Sequence, residues 1–382
     1  MSTRTILAAL LAATLGTGAS AQEAKLPASL TLTAYETGSN GFNQAVAVGA
    51  MLKKRFNTDM RVLPAGNDVA RLSPLKAGRA QASAMGIGTY FAQEGVLEFA
   101  VREWGPQPLQ LILSASTCSG QSLGAANDVG IKSAADMKGK RAGMVVGSPA
   151  VNQSVLALLA FGGYTSNEVK LVEFASYGAM MKGVVNNEID LFFASTISGL
   201  AKEIESSPRG ISWISMPASD KAGWARIQKI APYFYPHKST CGAGYAKGQT
   251  VETSVYPYPI FMAYGTQDAA TIYALTNAMI AHYDDYKDAV PGVDGLEAKR
   301  QNLQWTMPYH PGAVRALTEA KVWNEAAQKH NDALMRRQAT LAGAWKDFMK
   351  TNPPEDRDQF RAGWMKARAA ALTKAGMEVL FN

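Results

Sequence analysis

Strand-length apolar runs separated by stretches of helical period recur through most of this chain, and that alternation constrains its fold more than any single motif. Runs at 30–35, 61–63, 82–86 and 109–115 read as strands. Runs at 142–146, 170–174 and 191–194 read as a second set, and 260–264 as a late return to the first. The intervening stretches carry apolar residues at helical spacing, as in Val48, Met51, Leu52 and Phe56, or Val151, Val155, Leu158 and Leu159. The pattern predicts an α/β fold with largely parallel sheets. Beyond Trp323 it changes to helix alone, with Leu334, Leu341, Trp345 and Phe348 on one face. Asn352-Pro353-Pro354 interrupts, and Phe360, Trp364 and Ala371 open a second stripe.

Length sets the domain count. Of 382 residues, the first 21 have the layout of an export signal: Arg4, an apolar run over 6–15, and Ala19-Ser20-Ala21 before Gln22. The remaining chain exceeds what one hydrophobic core usually organises, so two lobes are expected. The divisions are a signal peptide at 1–21, a discontinuous first lobe at 22–120 plus 250–322, a second lobe at 121–249, and a C-terminal helical hairpin at 323–382. No later segment has the roughly 20 uncharged residues of a membrane helix, and no Cys follows the cleavage site. The expectation is a soluble, unanchored, monomeric periplasmic protein.

Composition excludes some partners and suggests one bond. The formal charge of +7 is spread thinly, without the Lys/Arg block that tracks nucleic acid, so a mild attraction for small anions is the modest inference. Cys118 and Cys241 are the whole cysteine complement. In an oxidising compartment they are disulfide candidates; two separately buried thiols are the alternative.

In open α/β sheets, ligands lie beyond the carboxyl ends of strands, where helix N-termini offer unpaired N–H groups. Five turns here combine small residues with hydroxyls or amides. They hold Gly38, Ser39, Asn40, Gly41 and Phe42; Asn67 and Asp68; Thr89 and Tyr90; Ser148, Pro149, Ala150 and Asn152; and Ser195 with Thr196. Ordinary capping uses the same residue types, so the expectation rests on five such turns sharing one cleft. A micromolar receptor needs about −8 kcal/mol, whereas a helix N-terminus contributes roughly 0.3–2 kcal/mol toward an anion. Further hydrogen bonds and desolvation on lobe closure must supply the rest, with room for one cationic anchor, for which Arg71, in the first turn after Asn67 and Asp68, is the candidate; a surface Arg is the plainer reading. Phe42, Tyr90 and Tyr177 could line the cleft or simply pack. His310 reads as structural, since one His makes neither a metal site nor a triad.

Catalytic signatures are sparse. The four His residues never fall at zinc-helix spacing, Phe91 stands where a dinucleotide fingerprint needs its third glycine, and Ser73-Pro74-Leu75-Lys76 lacks companion motifs. The chain reads as a binding protein without cofactor or metal.

A family resemblance completes the reading. Thr37-Gly38-Ser39-Asn40-Gly41-Phe42, Leu75-Lys76-Ala77-Gly78-Arg79-Ala80, Ala135-Asp136-Met137-Lys138-Gly139-Lys140-Arg141, Asn187-Glu188-Ile189-Asp190 and Tyr309-His310-Pro311-Gly312-Ala313, in this order, resemble the TAXI family. Its members are solute-binding subunits of tripartite ATP-independent periplasmic (TRAP) transporters. Residues 28 to 322 carry the likeness. The first loop departs from the family by having Ser39, Asn40 and Phe42 in place of consecutive glycines and tyrosines, and the tail beyond Trp323 is extra. The resemblance implies a type II periplasmic-binding-protein fold, two α/β lobes joined by crossing segments and a ligand enclosed between them. It also implies two membrane subunits as partners and uptake driven by an ion gradient. The expected solute is a small organic anion, an organic acid or amino acid. A sensory or adaptor module that docks on a membrane signalling protein is the rival reading, and a hydrolase the least supported.

Overall fold

The computed structural model describes residues 25–131 and 133–381; the export-signal reading at 1–21 lies outside them. Lobe 1 opens with β1 (Ser29–Ala34), α1 (Asn40–Phe56), β2 (Asp59–Pro64), α2 (Asp68–Lys76), β3 (Ala82–Met85), α3 (Gly88–Glu94) and β4 (Leu109–Ser114). Lobe 2 contains β5 (Gln121–Ala125), β6 (Arg141–Val145), α4 (Pro149–Phe161), β7 (Lys170–Phe174), α5 (Tyr177–Val185) and β8 (Leu191–Ser195). It continues with α6 (Gly199–Ser206), β9 (Ser212–Trp213) and α7 (Lys221–Ile230). A ribbon of β10 (Tyr235–Ser239) and β11 (Val251–Val255) leads back to lobe 1 through β12 (Ile260–Tyr264), α8 (Ala269–Ala281) and α9 (Pro311–Glu319). The hairpin of α10 (Glu325–Lys350) and α11 (Arg357–Lys374) follows.

The two five-stranded sheets are built alike, in the orders β2-β1-β3-β12-β4 and β7-β6-β8-β5-β9. They are mixed, not largely parallel as the apolar runs suggested. Strand β12 runs antiparallel to β3 and β4, and β5 antiparallel to β8 and β9. The cause is chain path. The parallel strands of each lobe end at the gap between the lobes, whereas a strand that has just crossed starts at the gap and must run away from it. The two crossings are hydrogen-bonded to each other, Ala115 N to Pro259 O at 3.0 Å and Tyr258 N to Ala115 O at 2.8 Å. The architecture is two α/β lobes with mixed sheets, the type II periplasmic-binding-protein arrangement that the resemblance implied. Among the described residues, no helix is long and apolar enough to cross a membrane.

Local chemistry explains the helices that matter for the gap. The Ser39 side chain caps α1 by accepting from Phe42 N at 3.3 Å, and Val48, Met51 and Leu52 bury its inner face, while Phe56 stays largely exposed. Asn67 caps α2 by accepting from Ala70 N at 2.8 Å. Pro149 starts α4 where a missing N–H costs nothing.

Cys118 and Cys241 are bonded, with Cα atoms 5.6 Å apart and a sequence separation of 123. Around the bridge, Thr196 Oγ1 donates to Cys241 O at 2.8 Å and accepts from Gly120 N at 3.1 Å, and Ser239 Oγ donates to Cys118 O at 3.1 Å. The bridge thus fixes the outgoing crossing to the segment that returns from lobe 2.

The C-terminal hairpin is anchored on lobe 1 by a buried ionic cluster. Glu94, fully buried at the end of α3, is held by Arg337 of α10 through two bonds of 2.7 Å and by the equally buried Arg368 of α11. Trp364 Nε1 donates to Gly95 O at 2.6 Å, and Phe348, Phe360 and Trp364 form a small second core with Ala100. The inner stripe of α11 runs Phe360, Trp364, Arg368 and Leu372, so Arg368 and not Ala371 continues it.

Two predictions follow from these anchors. Replacing both cysteines by serine should lower the unfolding free energy by about 2–5 kcal/mol, as expected for a long closed loop; equal denaturant midpoints with and without reductant would contradict this. Glu94→Ala deprives the buried Arg368 and the half-buried Arg337 of their carboxylate and should cost roughly 3–5 kcal/mol. A loss below 1 kcal/mol by urea titration would show that the cluster does not hold the tail.

Candidate functional site

Between the carboxyl ends of the two sheets lies a small cavity of about 20 Å³, room for roughly one water molecule. Lobe 1 and the return crossing contribute Tyr35, Ser39, Asn40, Tyr256 and Tyr258. Lobe 2 contributes Gln121, Ala150, Val151, Tyr177, Phe193, Ala194, Ser195 and Ser198. Of the residues expected from the turns, Ser39, Asn40, Ala150, Tyr177 and Ser195 meet here. Each sits where a strand delivers its chain into a helix, so the alternation itself places them together. Asn40 Nδ2 from lobe 1 and Ser195 Oγ from lobe 2 are buried without a hydrogen-bond partner, each worth roughly 1–3 kcal/mol to satisfy.

The cavity wall is rich in phenols. Tyr35 and Tyr177 meet across the lobes with ring centroids 5.6 Å apart. Burial pushes Tyr258 up to about 12, with the charge of Arg71 opposing. Tyr35, Tyr177 and Tyr256 are raised for the same primary reason. At neutral pH all four stay protonated and can donate hydrogen bonds.

Directly behind this wall, Asp68 joins the lobes. As the first residue of α2 it turns away from its own helix and is fully buried. Its Oδ1 accepts from Tyr35 Oη at 2.7 Å and from Arg71 Nη2. Its Oδ2 accepts across the gap from Ala150 N at 2.8 Å and Ser148 Oγ at 3.2 Å, at the start of α4. A second carboxylate repeats the arrangement: Glu36 Oε2 accepts from Gly178 N in the first turn of α5. Backbone bonds flank both contacts, Tyr177 N to Gly66 O at 3.0 Å and Val69 N to Gly147 O at 3.3 Å. Thus the positive ends of two lobe 2 helices are each taken by a lobe 1 carboxylate.

This arrangement corrects the reading of Arg71. It is neither a surface residue nor a free anchor: it is fully buried, paired with Asp68 and stacked over the Tyr35 ring, with Nε and Nη1 unpartnered. Arg71 is absent from the residues that line the cavity.

Other expected residues lie elsewhere, for identifiable reasons. Thr89 Oγ1 donates back to Gly86 O at 2.9 Å. Tyr90 packs on Phe91 and on Phe381 of the tail. Asn152 clamps the backbone of Val145 through bonds of 2.8 and 2.9 Å. Thr196 belongs to the disulfide surround already described. Phe42 packs half-buried against the core, Gly38 faces Leu200 of lobe 2, and Gly41 lies against Pro259 and the Tyr258 hydroxyl. Asn67 and Asn152 line a wider, open groove between the lobes and the C-terminal hairpin. Ser148 and Pro149 serve the start of α4. His310 is an N-cap, its Nδ1 accepting from Gly312 N at 3.2 Å, with its pKa lowered by burial.

Of the residues missed, Tyr35, Val151, Phe193, Ala194 and Ser198 adjoin the expected turns, and the others fall into two groups. Tyr256 and Tyr258 stand in the Tyr-Pro-Tyr-Pro crossing, and their alternation with proline was the available signal. Gln121, at the start of β5, belongs to a strand whose Gln-Ser-Leu-Gly-Ala sequence has no apolar run to mark it. Among the described residues no group of His, Cys, Asp and Glu could hold a metal ion.

Comparison with known proteins adds a family and remote likenesses. The chain is similar to an ancestral arginine-binding protein bound to arginine, at 14% identity, covering 71% of this chain and 97% of that one, with a TM-score of 0.41. It is similar to the alkanesulfonate-binding protein SsuA from Xanthomonas axonopodis pv. citri bound to MOPS, at 13%, 81%, 84% and 0.40 respectively. For the periplasmic aliphatic sulphonate binding protein SsuA from Escherichia coli the values are 11%, 93%, 90% and 0.39. No curated protein matches the sequence. The description "NMT1-like family" matches residues 33–320, both lobes and the crossings between them. With that match spanning well over half of its length, the chain belongs to the NMT1-like family.

Proposed function

We propose that the protein is a periplasmic receptor that encloses one small organic solute between its lobes and delivers it to the membrane subunits of a TRAP-type transporter. One observation carries the receptor reading. Asn40 and Ser195, each with a buried polar atom that has no partner, line one cavity from opposite lobes, so a guest that satisfies both draws the lobes together. The Cys118–Cys241 bond supports residence in an oxidising compartment. The order of the TAXI-like motifs is what supports delivery to TRAP subunits in preference to another membrane partner.

Closure also has an internal contribution, since Glu36 and Asp68 hold lobe 2 helices without any guest. The shape of the protein therefore depends on a balance between these latches and the solute.

The receptor reading is tested by thermal denaturation across a broad solute panel combined with small-angle scattering. A binding solute should raise the melting temperature with concentration and shift the scattering curve; no shift in melting temperature with any solute at millimolar concentration would refute it. Glu36→Gln keeps the side-chain shape but removes the charge at the α5 N-terminus. It should enlarge the radius of gyration and weaken solute binding by roughly tenfold, the size of a charge-assisted hydrogen bond; an unchanged scattering curve would remove Glu36 from the latch. For delivery, crosslinked cell envelopes should yield transporter membrane subunits with the receptor. Recovery of a membrane signalling protein instead would favour the adaptor reading.

A further inference from the structure

The electrostatics of the cavity speak to the charge of the solute, an inference that rests on the receptor reading. None of the lining residues is Lys, Arg or His. Two of the helix N-termini beside the cavity are already occupied, α4 by Asp68 and α5 by Glu36, and that of α1 is capped by Ser39. Arg71, stacked on Tyr35 behind the wall, is paired with Asp68 through Nη2, while its Nε and Nη1 have no partner. An anionic guest would thus lose its hydration without gaining a countercharge from the lining.

A cation fares no better at the lining itself. Asp68 already accepts from four groups and Glu36 accepts from Gly178 N, and no carboxylate lines the cavity. What the lining offers is an amide donor at Asn40 Nδ2, hydroxyls at Ser195 and Ser198, and aromatic faces on several sides. We propose that the solute is uncharged: an organic molecule with an apolar or aromatic body and a neutral acceptor oxygen, carbonyl or hydroxyl, held by Asn40 and Ser195. The aromatic faces take the body, and the two polar atoms orient the oxygen from opposite lobes. This replaces the organic anion expected from the sequence.

The test uses the full mature chain and matched probes that differ in charge and hardly in shape. Benzamide, benzoate and benzylamine form one triplet; isobutyramide, isobutyrate and isobutylamine form another. Affinity is read by equilibrium dialysis and melting temperature. In at least one triplet the amide should bind, and bind at least about tenfold more tightly than its carboxylate and its amine. A preference for the carboxylate or for the amine would overturn the uncharged assignment and leave the receptor reading intact. No binding by any probe, with no compaction in scattering, would overturn both. Asn40→Asp, checked for an unchanged melting temperature without probe, should abolish amide binding; retained amide affinity would remove Asn40 from the site and with it the proposal.

Discussion

The carboxylate of Asp68 is the contact on which the closed arrangement of this protein depends. A buried, charged carboxylate is tolerated only when its oxygens are met by donors, and those of Asp68 come from both lobes: Tyr35 and Arg71 on its own side, Ser148 and Ala150 on the other. Separating the lobes would take the α4 N-terminus away from Asp68, so the interface has a defined partner and register. The backbone around it is built for close approach. A Cβ on Gly88 would come within 2.6 Å of Asp68 Cγ. Gly147 takes φ +71 at the turn into α4 and would bring a Cβ to 3.3 Å from Asn67, a position that suits glycine on both counts.

Around this contact the rest of the molecule divides its tasks. The crossings set the axis between the lobes, and their antiparallel strands β5 and β12 tie each crossing into the interior of a sheet, so the joint is stiff where it leaves each lobe. The disulfide secures the same region from the lobe 2 side. The C-terminal hairpin contributes nothing to the cavity lining. Its attachment through Glu94, Arg337, Arg368 and Trp364 makes it part of the lobe 1 body, and it forms one wall of the open groove beside the gap.

Helix N-termini enter this protein in a way that turn chemistry alone does not reveal. The turns before α1, α4 and α5 were readable as places where backbone N–H groups point into a gap. At α4 and α5, however, the acceptors are side chains of the same chain. Asp68 looks in sequence like one of two possible caps for α2; Asn67 takes that role, which frees Asp68 to cap a helix in the other lobe. Similarly, Arg71 was legible as a cation near the gap, but its partner lies three residues away in its own helix and its charge is spent there.

By itself, the sequence determined the elements and their order. The apolar runs located most of the sheet strands, the turns that hold Ser39, Asn67 with Asp68, and Pro149 located helix starts, and the two lobes and helical tail followed from chain length and from these patterns. Such features are local, set by backbone geometry and by which face of a strand or helix must leave water. Strand β5 escaped because it is short and polar, and its place in the sheet is imposed by its neighbours. Only the tertiary structure decided which turns share the cavity, that the crossing strands run antiparallel, and that Tyr256 and Tyr258 line the gap. It also decided that the lobe 2 helix ends are already neutralised. These are contacts between residues 80 or more apart in sequence, and charge pairing across such distances leaves no periodic trace in the chain.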